Sequence, residues 1–208
     1  MAQKRTAGRR RNAKGEGERL RAELIEAAAG ILAETGDEAG LSLREVARRA
    51  GVSSPAVYLH FTDKDALLAG VLASRFAMLG HGIGAAVAAA PSGPGERLRA
   101  GCRAYVDLAV RDPGTYRVLF GGRSAADLGR DFRETQTHAP FRSLADGIAA
   151  AQAEGVVRPG DPFRLAVPVW AALHGIATLR TARPHFPWPG AGELIDDVLA
   201  GLLGLPRA

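Results

Sequence analysis

The sequence contains little cysteine, and it has no long apolar run. Cys102 is the single cysteine of 208 residues, so an intramolecular disulfide and a zinc site with two or more cysteines are both excluded. No uninterrupted apolar run of about 18 residues occurs, which argues against a membrane-spanning helix. No apolar core follows the basic N-terminus, which argues against a secretion signal. We therefore expect a cytoplasmic protein without a membrane partner.

Strand patterns are also missing. No segment alternates apolar and polar residues with enrichment in β-branched side chains, whereas apolar residues recur at helical spacing between Gly- and Pro-rich breaks. The pattern predicts an all-α fold. After four N-terminal helices, it predicts helices over 96–111, 115–120, 125–154 with a break or kink at Pro140, 163–181 and 193–203.

Basic charge is concentrated at the N-terminus. Lys and Arg number 27 against 22 Asp and Glu, for a net charge of +5. Residues 1–18 contain six basic and two acidic residues (6 − 2 = +4), while residues 19–66 contain six basic and eight acidic residues (6 − 8 = −2). The first segment lacks an apolar period and is expected to be disordered. A positive net charge alone would suggest a nucleic-acid partner, but most of this charge lies in the tail. A prediction of DNA binding must therefore rest on motifs.

Two short helices joined by a tight turn are predicted between residues 42 and 60. Ser42 and Glu45 form an S-x-x-E capping box at the start of the first helix. Gly51 ends that helix, and Pro55 suits the first turn of the next one, expected over 55–60. This layout is typical of a helix-turn-helix, whose second helix enters the major groove of DNA.

One face of the second short helix is not explained by core packing. Val57 and Phe61 are expected to be buried, but the opposite face carries small residues, hydrogen-bonding groups and apolar groups that could meet a thymine methyl. These residues are Ser53, Ser54, Ala56, Tyr58, Leu59 and His60.

A fourth helix is predicted over 63–79, with Thr62 and Asp65 as its capping box. About 17 residues at 1.5 Å each make it a rod of roughly 25 Å. Lys64 lies in its first turn, where a helix N-terminus and an ammonium group together suit a phosphate. The alternative for Lys64 is a solvated surface lysine.

The last two long helices are expected to form a homodimer interface. Ala171, Ala172, Gly175 and Ala177 are small enough to allow close approach of helices. The helix over 193–203 has an apolar face that is too wide for one neighbour, and we expect Leu199 to lie in the interface. Two such helix pairs would form a four-helix arrangement around a two-fold axis.

The N-terminal segments resemble the DNA-binding domain of TetR-type transcriptional regulators. The resemblance is carried by IEAA at 25–28, GLSLREVARRAGVS at 40–53 and VYLHFTDKDALL at 57–68. The later segment WAALHGI at 170–176 resembles the Trp-x-x-x-His-Gly segment of one C-terminal subgroup. The resemblance implies a basic tail at 1–18, a helix-turn-helix domain at 19–66 and a helical effector-binding and dimerisation domain at 67–208.

The resemblance also assigns roles to residues. It implies that Ser42 and Arg44 approach DNA from the start of the second helix. It implies that Ser53, Ser54, Pro55 and Ala56 face base edges and that Tyr58, His60 and Lys64 contact phosphates, with Leu59 on the same face. The basic tail either adds minor-groove or phosphate contacts or remains solvated.

The resemblance places an effector cavity among the C-terminal helices. Aromatic and polar side chains available there are Cys102, Tyr105, Tyr116, Phe120, Phe141, Trp170 and His174. Simpler interpretations stay open, since Cys102 suits a buried hydrophobic position, Trp170 suits a core position, and His174 suits a histidine held by a hydrogen bond across helices. No histidine has a partner spaced for a metal ligand pair, so neither a metal nor a cofactor is expected.

These features favour a ligand-responsive repressor that binds a palindromic operator as a homodimer and is released by a small molecule. The alternative is an effector-independent DNA-binding activator or nucleoid-associated protein. An enzyme is not expected, because the sequence shows no nucleophile–base pair, glycine-rich phosphate loop or metal-ligand cluster.

Overall fold

The computed structural model describes residues 16–36, 38–120 and 139–207, and this part of the chain is helical, as predicted. Its elements are α1 (Glu16–Thr35), the 3-10 turn η1 (Glu38–Gly40), α2 (Leu43–Arg49), α3 (Ser54–Tyr58), α4 (Lys64–Ala89), α5 (Pro94–Arg111), α6 (Pro113–Phe120), α7 (Ala139–Ala153), α8 (Pro162–Ala182) and α9 (Ala191–Leu203). The predicted tail is described only from Glu16, where α1 already begins. Of the helix predicted over 125–154, residues 121–138 lie outside the described residues.

The first three helices form a small head. The inner face of α1 packs on α2, and α2 packs on α3. Leu24, Ala28, Val46 and Val57 are completely buried, and Phe61 is nearly so. This apolar core holds α2 and α3 against α1, so the outer faces of α2 and α3 are not needed for packing.

Helix α4 joins the head to the rest of the chain. Its cap is Asp63 rather than the predicted Thr62, because the Asp63 carboxylate accepts a hydrogen bond from the Ala66 N–H at 2.7 Å. The helix continues to Ala89, ten residues beyond the predicted end, and its 26 residues make a rod of about 39 Å. The proposed domain boundary after residue 66 therefore falls inside one continuous helix.

By length and composition alone, α4 could also cross a membrane, with a mean hydropathy of 1.4 over its most apolar window. It is the single helix of the described residues that passes this test. Several of its apolar side chains pack against the protein itself rather than facing outward. Leu67, Val71, Leu72 and Phe76 lie in the core.

The C-terminal helices pack around α5. This helix runs beside α4 and contacts α7, α8 and α9. Arg99 on α5 is 2% exposed and binds the Asp196 carboxylate of α9 at 2.6 Å, the Glu96 carboxylate at 2.5 Å and the Pro206 carbonyl at 2.5 Å. A buried guanidinium needs several acceptors, and here those acceptors join α5 to α9 and to the segment after it.

The expected place of Leu199 in a dimer interface is wrong. Leu199 is 0% exposed within the single chain, as is Ala177. Both side chains belong to the core between α8, α9 and their neighbours. The outer face of α8 instead presents Val167, Ala171 and Leu179.

Helix α6 touches the head directly. It packs against the C-terminal half of α1, and a β-carbon built on Gly114 would lie only 2.8 Å from the Ala33 β-carbon. A β-carbon built on Gly36 would likewise lie 3.0 Å from the Arg117 guanidinium. Gly114 thus allows a close approach between the head and the C-terminal helices.

We expect Gly114→Ala to destabilise the protein by about 1–3 kcal/mol, because the added methyl must push α6 away from α1. Ala33→Gly removes the opposing methyl and should cost about 1 kcal/mol through helix propensity alone. Thermal or urea unfolding of both single variants and the double variant measures the coupling. The double variant should lose less than the sum of the singles, and additive losses would contradict close packing at this point.

Candidate DNA-binding face and effector cavity

The turn between α2 and α3 depends on one left-handed residue. Gly51 has φ +69°, a conformation that costs other residues roughly 1–2 kcal/mol. The Val52 N–H returns to the Ala47 carbonyl at 2.9 Å. This closes the end of α2 and starts α3 within a few residues, as the sequence predicted.

The caps of the two helices differ from the predicted pattern. The Ser42 hydroxyl accepts the Glu45 N–H at 3.2 Å, but the Glu45 carboxylate is held by Arg48 at 2.5 and 2.8 Å and does not complete the box. Ser53 caps α3 by position but makes no side-chain capping bond. The hydroxyl of this exposed residue is therefore not used to cap the start of α3.

The residues predicted to bind DNA lie on one side of the head. Ser42, Arg44, Ser53 and Ser54 line one groove between α2 and α3. Six of the ten predicted residues are exposed, namely Ser42, Arg44, Ser53, Pro55, Tyr58 and Leu59, while Ser54, Ala56, His60 and Lys64 are half-buried. Tyr58 is 58% and Leu59 is 71% exposed, a high exposure for large apolar side chains in a folded domain.

Ion pairs neutralise part of the positive charge near this face. Arg49 binds Glu34 of α1, with one Nη1–Oε2 contact at 2.6 Å, and its hydrogen bond lowers the pKa of the Glu34 carboxyl. Arg48 lowers the pKa of Glu45 by the same kind of bond. Arg44 has no ion-pair partner among the described residues, so its charge is available at the groove.

The ammonium group of Lys64 makes a hydrogen bond within the protein but keeps donors for a further partner. Its ammonium group donates to the main-chain carbonyl of Glu38, which ties the start of α4 to η1. An ammonium group has three N–H donors, so two remain for another acceptor.

The first turn of α1 lies beside the end of α3, since a β-carbon on Gly17 would be 3.8 Å from the His60 ring.

A cavity of about 440 Å³ lies between α4, α5, α7 and α8. Three of the seven predicted pocket residues line it: Cys102, Tyr105 and Trp170. Sequence reasoning missed Gly80, Gly84, Gly101 and Gly147, which also line it. The three glycines at 80, 82 and 84 are an available signal, because glycine is unfavourable inside a helix.

The other four predicted residues lie next to the cavity. Tyr116, Phe120 and His174 form an aromatic cluster with Tyr105, with the Phe120 and His174 rings 5.0 Å apart. Phe141 packs against Phe163 and Trp170, with ring centroids at 5.1 and 5.9 Å. The cluster connects α5, α6 and α8, while Phe141 belongs to the contact between α7 and α8.

His174 is held by hydrogen bonds across helices. Its Nδ1 lies 2.6 Å from the Tyr116 hydroxyl and 3.1 Å from the Tyr105 hydroxyl. A phenol donating to Nδ1 requires the neutral ring with its proton on Nε2. Burial lowers the pKa of His174 and raises the pKa of both tyrosines, so all three groups are neutral near pH 7.

Cys102 behaves as a buried apolar group. It is 3% exposed, and burial raises the pKa of its thiol to about 12. The reactive thiolate is therefore scarce at neutral pH. Within the described residues, no group of three or more His, Cys, Asp or Glu side chains is placed to hold a metal ion.

Two family models match the chain, one over the N-terminal helices and the other over the C-terminal helices. The model for bacterial regulatory proteins of the tetR family matches residues 24–71, and the tetracyclin repressor-like C-terminal domain matches residues 98–202, half of the chain. The chain belongs to the TetR family.

Individual relatives agree with this assignment. The chain is 36% identical over 120 residues to the HTH-type transcriptional activator FasR of Mycolicibacterium smegmatis, covering 57% of this chain and 53% of FasR. It is 29% identical over 133 residues to the regulator EthR of the same organism, covering 64% and 59%. The matches thus span between half and three fifths of these relatives. A structure of a protein of unknown function from Rhodococcus sp. RHA1 has a TM-score of 0.77 at 32% identity, covering 94% of this chain and 99% of that one.

Acidification should destabilise the protein partly through His174. The unfolded chain binds a proton near pH 6.5, whereas the folded chain binds it only at lower pH, so this contribution to stability is full above pH 6.5 and is lost as the pH falls toward the lowered pKa. Thermal unfolding between pH 7.5 and 5.0 should therefore show a smaller drop in Tm for His174→Asn than for the wild type. The exposed His185 serves as the control, and His185→Asn should follow the wild type. Equal pH dependence in all three proteins would contradict a neutral His174.

Proposed function

We propose that this TetR-family chain is a transcriptional regulator that binds a palindromic operator as a homodimer. In the leading form of the proposal it is a cytoplasmic repressor, and a small molecule in the cavity releases it from DNA. The observation that carries the proposal is the exposed face of α2 and α3. A closed apolar core lies behind this face, yet the face presents hydroxyls, a cation and large apolar groups.

Each part of that face suits a different part of a DNA duplex. Ser53, Ser54 and Ala56 lie in the first turn of α3 or just before it, the end that enters a major groove in helix-turn-helix proteins. Arg44, and Lys64 with its two remaining donors, suit phosphate oxygens. Leu59 offers an apolar surface of the kind that meets thymine methyls.

The dimer is proposed through the outer faces of α8 and α9. Val167, Ala171 and Leu179 are exposed on α8, and a β-carbon on Gly175 would meet nothing within 4 Å. Val198 on α9 is only half-buried. An exposed apolar face with small residues allows two copies to approach closely around a two-fold axis.

A continuous set of contacts leads from the cavity to the head. Tyr105 lines the cavity and contacts Tyr116 of α6, and α6 meets α1 at Gly114 and Ala33. Helix α1 then holds α2 through the Glu34–Arg49 pair. A ligand that shifts α6 would therefore shift the DNA-binding face, and a coupling of about 1–3 kcal/mol changes operator affinity roughly 5–150-fold.

Activation is the second candidate, because the relative at 36% identity is named a transcriptional activator. A reporter gene placed behind the regulator's own operator separates the two signs of regulation. Deleting the regulator raises expression if it is a repressor and lowers expression if it is an activator.

Removing Arg44 should weaken DNA binding without destabilising the protein. Because Arg44 is exposed and unpaired among the described residues, Arg44→Ala should reduce the slope of log affinity against log salt concentration by about one if the residue meets a phosphate. Tyr58→Phe should have a smaller effect, since only a hydroxyl is lost. The control is Arg207→Ala, which removes an exposed arginine near the end of α9.

Fluorescence anisotropy with the upstream DNA of the regulator's own gene, measured between about 50 and 200 mM salt, gives these slopes. Equal slopes for the wild type and Arg44→Ala would remove Arg44 from the phosphate contacts. Failure of the wild type to bind any fragment at about 50 mM salt would contradict the DNA-binding proposal itself.

A charge on the outer face of α8 should separate the subunits. Leu179 is 52% exposed in the single chain, so Leu179→Glu should leave the fold intact while burying an unpaired charge in the proposed dimer. Light scattering at micromolar concentration should find a dimer for the wild type and monomers for this variant. Val110→Glu, at a similarly exposed apolar site on α5, is the control and should remain dimeric. A monomeric wild type would contradict the proposal.

A further inference from the structure

The cavity between α4, α5, α7 and α8 has an apolar interior and a polar rim. Leu98, Cys102 and Leu173 are buried side chains in its wall, and Tyr105 and Trp170 add aromatic surfaces. The charged side chains that line it among the described residues are Arg97 and Asp146, and both are exposed. A charge placed against the buried wall of Leu98, Cys102 and Leu173 would therefore lack an ionic partner there, which is unfavourable.

Bare backbone forms part of the wall. Gly80 and Gly84 lie one turn apart on α4, and a β-carbon built on either would meet nothing within 4 Å. Neither has a positive φ, so neither backbone conformation nor packing within the chain requires glycine there. Each glycine costs about 0.5–1 kcal/mol relative to alanine inside a helix. The open space beside Gly80 and Gly84 belongs to the cavity and lets a molecule approach the backbone of α4 closely.

The volume indicates the size of the occupant. An enclosed apolar cavity of about 150 Å³ is filled by benzene, and this cavity, which is partly open to solvent, measures about 440 Å³. The ratio corresponds to a molecule of two or three rings. Tyr105 and Trp170 offer ring faces and edges, which pair favourably with aromatic rings.

We propose that the cavity takes an uncharged aromatic molecule of two or three rings, which lies against the glycine strip of α4. This deepens the effector role proposed above and rests on it for regulation, but not for binding. Gly80 and Gly84 are then positions that determine specificity, because a side chain at either one fills the ligand's space.

Two matched probes test the chemical class. N-phenyl-1-naphthylamine is neutral, while 1-anilinonaphthalene-8-sulfonate has the same ring framework and a sulfonate. The neutral probe should bind once per chain and at least tenfold more tightly than the anionic probe. Trp188→Phe leaves Trp170 as the single tryptophan, and quenching of its emission by the neutral probe reports binding, whose place the α4 variants below then locate. Equal or tighter binding of the sulfonate would overturn the inference, as would saturable binding of 1-dodecanol without binding of the neutral probe.

Two substitutions on α4 test the place of binding. Gly84 lines the cavity, whereas Gly82 lies on the same helix outside the cavity lining, and both glycines are exposed in the single chain. Gly84→Leu and Gly82→Leu both replace glycine by a better helix former, so both should keep or raise the Tm. Only Gly84→Leu should reduce affinity for the neutral probe by tenfold or more, and Gly80→Leu should repeat its effect. Unchanged affinity in both cavity variants, or equal loss in Gly82→Leu, would overturn the assignment.

Operator affinity is measured separately, with and without the neutral probe. Probe binding that changes operator affinity supports both the ligand class and the effector role. Probe binding that leaves operator affinity unchanged supports the ligand class and contradicts the effector role. Operator binding without any probe binding contradicts the ligand class and leaves DNA recognition standing.

Discussion

Helix α4 is the constraint on which the rest of the structure depends. Its first turn is tied to η1 through Lys64 and capped by Asp63, its middle fills the core, and its second half lines the cavity. One continuous backbone therefore belongs to the head and to the C-terminal helices at once. Motion at one end is transmitted to the other unless the helix bends, and the glycines at 80, 82 and 84 are where its intrinsic helix preference is weakest.

A second connection runs beside the first. Helix α6 meets α1 at a point where glycine faces alanine, and its aromatic side chains contact Tyr105 and His174. Helices α4 and α6 lie on different sides of the cluster of C-terminal helices and contact different parts of the head. Helix α4 arrives beside η1 and α3, while α6 arrives at the end of α1, whose Glu34 holds Arg49 of α2. The orientation of α2 and α3 is therefore set from both sides.

Local features of the sequence were predicted well because local physics determines them. Gly51 needs a left-handed backbone, Ser42 caps a helix, and the apolar spacing of Val46 and Val57 points to the core. Predictions that required knowledge of partners were weaker. The sequence pattern predicts that Glu45 completes a capping box, but its carboxylate binds Arg48. The pattern also predicts Leu199 in a dimer interface, but the protein's own core covers that side chain. An apolar period shows that a face is buried, but it does not show by which neighbour.

The cavity shows the same limit. Aromatic and polar residues were the natural choice from sequence, and three of the seven line the cavity. Much of its shape instead comes from glycines, whose contribution is an absent side chain. Such a contribution can be recognised only when the surrounding helices are in place, as for Gly80 and Gly84.

The buried Arg99 has a consequence for the order of folding. Its partners are Glu96 on the same helix, Asp196 on α9 and the carbonyl of Pro206, about a hundred residues later in the chain. During synthesis the head has all of its own contacts once α4 has emerged, whereas α5 must wait for nearly the whole remaining chain before its guanidinium is satisfied. The contacts within the head are thus complete while the C-terminal helices are still incomplete, and a nascent chain stalled before residue 196 would leave Arg99 with Glu96 alone, without its Asp196 and Pro206 partners.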